Sequence, residues 1–180
     1  MPHRQPYKKR RLPKIWLMSD PRLGEGLLAA VRKLPVGSGV VFRHYQLAAD
    51  ERLALFRQMQ RICRQRGHVL VLAGPHDWSA KGVHGRNRSR PTQILTMPVH
   101  SLREIREAQR LGADLMFLSP VFATRSHLGA RALGMIQFAR LARLAGPTNV
   151  IALGGMTRNK AQTITHRVAY GWAGIDAFMR

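Results

Sequence analysis

The sequence predicts an α/β protein of the TIM type, a shortened (β/α)8 barrel. Two observations carry this reading. Short apolar runs alternate with segments of helical periodicity along most of the 180 residues, an order that specifies parallel strands joined by right-handed crossovers. The apolar runs number eight, which suits a closed barrel better than a doubly wound sheet of about five or six strands.

The elements follow in order. "KIWLMSD" is the first strand, ending at Ser19 and Asp20, and Leu27, Leu28, Val31 and Leu34 then recur at helical spacing until Pro35 stops them. "SGVVFRHY" is the second strand. A longer helix begins near Asp50 as its N-cap, carries Leu55, Phe56, Met59, Ile62 and Cys63 on one face, and stops at Gly67. "HVLVLAG" is apolar throughout, as a strand buried on both faces must be. The residues from Pro75 to Lys81 are too short and broken for a helix, "GVHG" is a brief fourth strand, and "RNRSRPTQ" is a polar loop.

"ILTMPVH" is the fifth strand despite Pro98. Ser101 and Glu104 form a capping box for a helix that turns Leu102, Ile105, Ala108 and Leu111 inward, and Gly112 ends it. "ADLMFLSPVF" is the sixth strand. Beyond a loop, a helix carries Met135, Ile136, Phe138, Leu141, Ala142 and Leu144 and closes at Gly146 and Pro147. "NVIALGG" is the seventh strand, Thr157 to Val168 the next helix, and "WAGIDAF" the eighth strand. The fourth helix is almost missing and no residues remain for an eighth, in a chain below the ~200 residues usual for this fold. The outer face beside the first and eighth strands is then apolar, and either a second copy of the chain, in a homo-oligomer, or the N-terminal arm is expected to cover it.

Charge is the abnormal quantity. Thirty Lys and Arg against nine Asp and Glu give a formal +21, enough to attract phosphates or nucleic acid without specificity. Residues 1–14, "MPHRQPYKKRRLPK", hold six Lys or Arg and no acid and read as a solvated, disordered arm, leaving 15–180 as the barrel domain. No apolar run approaches the ~18 residues of a membrane helix, so a cytoplasmic protein without a membrane partner is expected. Cys63 is the only cysteine. It excludes an internal disulfide and falls on an apolar helix face, where a small buried hydrophobe is expected.

Active sites of such barrels lie at the C-terminal ends of the strands. Those positions are Asp20, Arg43, Gly74, His84, His100, the loop from Thr124 to His127, the pair Gly154 and Gly155, and finally Phe178 to Arg180. A permanent cation, imidazoles, hydroxyls and paired glycines suit a phosphate, which barrels commonly hold at the loops after strands seven and eight. Each residue also has a plainer reading. The glycines permit a tight turn, Arg43 is one more surface cation, and His84 and His100 are satisfied polar groups at the barrel mouth. No His, Asp and Glu cluster has metal spacing, so no bound metal is expected, and no Ser, His and Asp set or nucleophile elbow is present.

Taken together, these segments resemble the thiamine phosphate synthase and TenI family along nearly the whole chain after residue 14. "LMSDPRL" is similar to the family's first strand, "VVFRHYQL" to its "QLREK" segment, and "AKGVHG" to "ADGVHLGQ". "MPVHSLREIREAQRLGADLMFLSPVFAT" is similar to its "SVHS" helix and "GADYVGFGPIFPT", and "VIALGGM" to "VVAIGGI". The resemblance implies a barrel whose synthase members join hydroxymethylpyrimidine pyrophosphate to a thiazole phosphate, with Mg2+ and cations stabilising the departing pyrophosphate. It implies that Arg43 contacts pyrophosphate, that Thr124 and Ser126 hold the thiazole phosphate, and that Gly154 and Gly155 contact the same phosphate. His84 is grouped with these ligand-binding residues.

The pyrophosphate half departs from the family pattern. Val41 stands for a Gln and Tyr45 for a Lys. Ala73 and Gly74 stand around the position of an Asn-Asp pair, and Pro98 replaces a Ser. The second Mg2+ aspartate has no counterpart in "GVHGRNRSR", which offers Arg86 and Arg88, and His127 replaces a pyrophosphate-contacting lysine. The histidine of the tautomerase branch falls in a segment reading "LSP" here, Leu118 to Pro120. Three functions follow as expectations. The first is a thiamine phosphate synthase-like protein that binds a thiazole phosphate. The second is a phosphate-ligand isomerase, thiazole tautomerase-like, with His100 or His127 carrying the proton. The third is a noncatalytic barrel whose basic surface binds nucleic acid or an acidic partner.

Overall fold

The computed structural model describes residues 11–76, 78–86, 88, 90–124, 131–165 and 168–179. Its strands are β1 (Ile15–Met18), β2 (Gly39–Phe42), β3 (Val69–Ala73), β4 (Gly82–His84), β5 (Ile94–Val99), β6 (Leu115–Leu118), β7 (Asn149–Ala152) and β8 (Gly171–Gly174). All eight pair in parallel with their sequence neighbours, and β8 returns to β1, so the sheet closes as the sequence predicts. Among the described residues five helices lie outside it: α1 (Gly26–Lys33), α2 (Ala49–Gln65), α3 (Leu102–Arg110), α4 (Gly134–Leu144) and α5 (Arg158–Thr165). Among the described residues no helix occurs between β3 and β4 or between β4 and β5, so the barrel is shortened at two successive crossovers. None of the helices described is long and apolar enough to cross a membrane.

The interior is filled by alternate strand residues, as parallel barrels require. Trp16, Met18, Val41, Val71, Phe117, Ile151 and Ala173 form one buried cluster, with the Trp16 and Phe117 rings edge to face at 5.4 Å. Gly39 stands opposite Trp16 in the ladder. A Cβ there would overlap the indole, so the missing side chain is what admits the large one.

The outer face differs from expectation where cover was needed. Trp172, pointing outward from β8, is buried under Phe178, whose ring stacks on it at 5.1 Å. Leu17 on β1 is fully buried within the chain. Part of the expected cover is thus supplied within the chain by the 3-10 turn Asp176–Phe178. That turn also shortens the eighth strand, expected to reach Phe178, to end at Gly174.

Residues 1–10 lie outside the described residues. Residues 11–14, which their charge assigned to the arm, are tied to the barrel: Tyr170 Oη donates to the Leu12 carbonyl at 2.6 Å and Trp16 Nε1 to that of Pro13 at 2.7 Å. Smaller differences have simple causes. α2 begins at Ala49, with Ala48 rather than Asp50 at its N-cap, so Asp50 and Glu51 sit in its first turn as dipole partners. Leu111, Ile136 and Leu144 are exposed rather than inward. Ile136 lies about 200° around the helix from buried Phe138, and Leu111 and Leu144 fall where their helices run out. Cys63 is buried as expected, and burial pushes its thiol up to about 12.

Candidate active site

A cleft of about 140 Å3 opens where the strands end. Arg43, His100, Thr124, Gly154 and Gly155 line it, which brings five of the eight residues singled out from the sequence to one place. Ser126 and His127 lie outside the described residues. His84 does not reach the cleft lining. It sits on β4 in the barrel interior, edge-on to Phe117 at 5.2 Å, with Nδ1 2.9 Å from Thr96 Oγ1. Since Thr96 donates its hydroxyl hydrogen to the Val83 carbonyl, His84 Nδ1 must be the donor, which leaves Nε2 as the acceptor. Burial, with the charge of Arg43, pushes this imidazole down to about 3.

Gly154 and Gly155 both take left-handed backbone, at φ 97° and 60°. The loop after β6 packs directly upon them. A Cβ on Gly154 would lie 2.7 Å from Pro120 Cα, and one on Gly155 2.5 Å from the Ala123 carbonyl. The plainer reading of this pair, a turn that needs glycine, therefore holds. The turn feeds α5, whose Thr157 hydroxyl caps the Lys160 amide at 3.3 Å, while Lys160 Nζ reaches the Gly155 carbonyl at 3.0 Å and lies over Phe122. Lys160 thus stands beside the glycine pair, which lies next to Thr124.

Arg43 is not a loose surface cation. Its Nε donates to the Ser19 carbonyl at 2.8 Å and its Nη2 to Asp20 at 2.9 Å. Asp20 also holds Arg22 at 2.8 Å. Burial draws the Asp20 carboxyl upward, but the Arg22 hydrogen bonds and the charges of Arg22 and Arg43 prevail and hold it below the ordinary carboxylate range. Burial in turn lowers the Arg43 pKa against the pull of Asp20. His44, buried beside them at φ 42°, shares the Ser19 hydroxyl with the Arg43 amide. A histidine in left-handed backbone stores strain of the kind that collects at functional rims.

His100 follows β5, exposed, with Nδ1 3.2 Å and its amide 2.5 Å from Glu104 Oε2. Ser101 caps the Glu104 amide as the capping box requires, while the Glu104 carboxylate turns back to His100. An acceptor at Nδ1 fixes the hydrogen of the neutral ring there and leaves the Nε2 lone pair available.

Sequence reasoning missed two rim residues. Asp176, in the turn after β8, lines the cleft and stands 3.8 Å from Arg22. Arg52, in the first turns of α2, is 4% exposed although charged. Its Nε donates to the Arg43 carbonyl at 2.9 Å and its Nη2 to the Ala73 carbonyl at 2.5 Å. Phe42, Tyr45 and Trp78 enclose the guanidinium at 5.0–5.5 Å. A signal was present, since Arg52 stands one turn before Phe56 on the buried stripe.

A closed eight-stranded parallel barrel with its cleft on the C-terminal rim belongs to the TIM-type class, in which the rim carries the site. Within that class, the family model described as thiamine monophosphate synthase matches residues 19–178, and the chain belongs to this family of thiamine biosynthesis, the one its motifs resemble. The chain is 29% identical to the putative thiamine-phosphate synthase 2 of Aquifex aeolicus, covering 93% of this chain and 98% of that protein. It is 28% identical to the thiamine-phosphate synthase of Geobacillus kaustophilus, covering 94% and 85%. Among solved structures, the thiamine phosphate pyrophosphorylase of Pyrococcus furiosus superposes with a TM-score of 0.77 at 23% identity, covering 92% of this chain and 87% of that one.

The Mg2+ that the family implies does not fit these residues. Among the described residues no group of three or more His, Cys, Asp or Glu side chains converges. Asp20 is already paired with two guanidinium groups. At the ends of β2 and β3 the backbone carbonyls face the guanidinium of Arg52, a fixed positive charge where a divalent cation would have to approach.

Proposed function

We propose that this protein binds a thiazole phosphate, as a thiamine phosphate synthase-like protein without the Mg2+-assisted transfer to a pyrimidine pyrophosphate. The observation that carries this reading is the make-up of the cleft. Gly154, Gly155 and Thr124 stand together at one end, the phosphate end, and Met18, Pro120, Met156 and Ile175 offer apolar walls to a heterocycle. Ser126 belongs to the same phosphate grip by resemblance. The volume of about 140 Å3 is well below the ~300 Å3 at which ligand pockets usually begin.

Backbone N–H groups of left-handed glycines approach an anion closely and cost no reorganisation when it arrives. Arg43, held by Ser19 and Asp20, supplies positive potential from the opposite wall. Calorimetric titration with thiazole phosphate, paired with a thermal-unfolding assay, is expected to give heat and protection. Neither heat nor protection at millimolar ligand would reject the reading.

His100 supports a second reading, a phosphate-ligand isomerase. It lines the same cleft and its ring is oriented by Glu104, the arrangement of a proton carrier. Deuterium exchange into the bound thiazole phosphate, abolished by His100→Asn, is the expected sign of it. Exchange at the same rate in that variant would exclude His100 as the carrier.

A further inference from the structure

The two ends of the barrel differ in the balance of their charges: acids and cations mix at the cleft end, and cations predominate at the other. Because the strands are parallel and the helices return between them, helix C-termini and strand N-termini share the end remote from the cleft. Helices α1 to α4 all finish in cations there: Arg32 and Lys33, Arg64, Arg110 and Arg143. Strands begin beside further ones, with Lys14 ahead of β1, Lys81 ahead of β4 and Arg90 ahead of β5. All of these are exposed.

Acids are distributed the other way. Of the nine in the chain, Asp20, Glu25, Asp50, Glu51, Glu104 and Asp176 lie in first turns of helices or strand-end loops on the cleft side. Among the described residues, Glu107 lies partway along α3, 3.2 Å from Arg86, and Asp114 is the acid at the remote end. It is occupied there, accepting the Leu95 amide at 2.7 Å and standing 3.8 Å from Arg88. A groove of about 690 Å3 crosses this end beside β3 to β5, lined by the cations Arg11, Lys81 and Arg90 with the polar Ser79, Thr92 and Gln93 and no acid.

We infer that the end of the barrel remote from the cleft binds the phosphodiester backbone of nucleic acid, without sequence preference. Charge complementarity identifies the occupant. A face of arginines and lysines with its acids removed to the opposite end matches a regular line of phosphates, and arginine forks suit phosphate oxygens in particular. Among the described residues the exposed large hydrophobic side chains at this end, Val36, Leu111 and Leu144, are all aliphatic, and the Tyr170 ring is half-buried, with Lys14 over it and its hydroxyl on Leu12, so no open aromatic platform is offered for base stacking or for anchoring at a membrane surface. The face is separate from the cleft, so it does not depend on the reading of the thiazole site.

The test is fluorescence anisotropy of the full chain with a labelled 20-base-pair duplex of random sequence in low salt. Binding should fall steeply with salt, with a logarithmic slope of about −3 or steeper, since each phosphate neutralised contributes about −0.9. The triple reversal Arg11→Glu, Lys33→Glu, Lys81→Glu should weaken it at least tenfold. The triple Arg57→Glu, Arg103→Glu, Arg140→Glu makes the same change in net charge on helix flanks and should weaken it less than threefold. Equal losses in both triples, or no duplex binding, would overturn the inference. So would capture by phosphatidylglycerol vesicles in place of nucleic acid. Thiazole phosphate titrations of the same variants should be unaltered, and folding is verified by their melting curves.

Discussion

Arg52 Nη2 lies 2.5 Å from the carbonyl oxygen of Ala73, so an internal guanidinium caps the end of β3. The same group caps β2 through the Arg43 carbonyl and lies against three aromatic rings. Replacing it with methionine removes both donors and leaves two rim carbonyls without a partner. Each orphaned buried group costs about 1–3 kcal/mol, so Arg52→Met, which leaves two, should lose about 2–6 kcal/mol in urea unfolding. Arg52→Lys should recover only part, because an ammonium cannot reproduce the two-pronged geometry. A methionine variant as stable as the parent would show the guanidinium to be dispensable.

The same fixed cation opposes the approach of a divalent metal at this place. Millimolar Mg2+ is expected to leave the melting temperature and the thiazole phosphate affinity unchanged, and chelator should do likewise. A rise of several degrees with Mg2+ would reveal a metal site that Arg52 does not replace.

Much of this was readable in the sequence, for identifiable reasons. Eight strands stood out because each is buried on both faces, and apolar runs such as "VLVLA" have no other purpose in a chain this polar. Arg43, His100, Thr124 and the glycine pair could be placed on the rim because strand ends are where periodicity stops. Arg52 was not readable, because a charge on an apolar stripe is legible only once its partners, carbonyls from two other strands, are in place. Asp176 was hidden by its neighbours: Ile175, Ala177 and Phe178 look like continued strand, yet serve as the turn that buries Trp172. The charge segregation between the two ends of the barrel depends on topology and has no linear trace at all.

Stability should fall as the solution is acidified below neutrality. Burial is the first cause that lowers the pKa of His44, His68 and His84, the last to about 3. In the unfolded chain these rings take up protons from about pH 6.5 downward. The unfolded state therefore binds more protons between about pH 6.5 and 3, so the contribution of His84 is complete above that window and is lost as pH falls through it. His84→Gln, which keeps a donor for Thr96, should flatten the decline of melting temperature between pH 7 and 4. An unchanged decline would mean that His84 is already charged in the folded state.

The cleft itself poses a conflict that mutation can resolve. Thr124 and the glycine pair favour an anion, while Asp176 brings a carboxylate to the same lining, with Arg22 3.8 Å away. If the phosphate of the ligand lies between Thr124 and Gly155, the like charge of Asp176 opposes it, and at a half-exposed position such a term is worth at most about 1 kcal/mol. Asp176→Asn should then tighten thiazole phosphate binding about two- to fivefold, with a smaller gain at high salt. Thr124→Val, which keeps the shape and removes the hydroxyl, should weaken binding about tenfold to a hundredfold, the value of one hydrogen bond to a charged group. Opposite signs for the two variants locate the phosphate beside both side chains. Weakening by both would instead make Asp176 a ligand to the heterocycle, with the phosphate placed elsewhere on the rim.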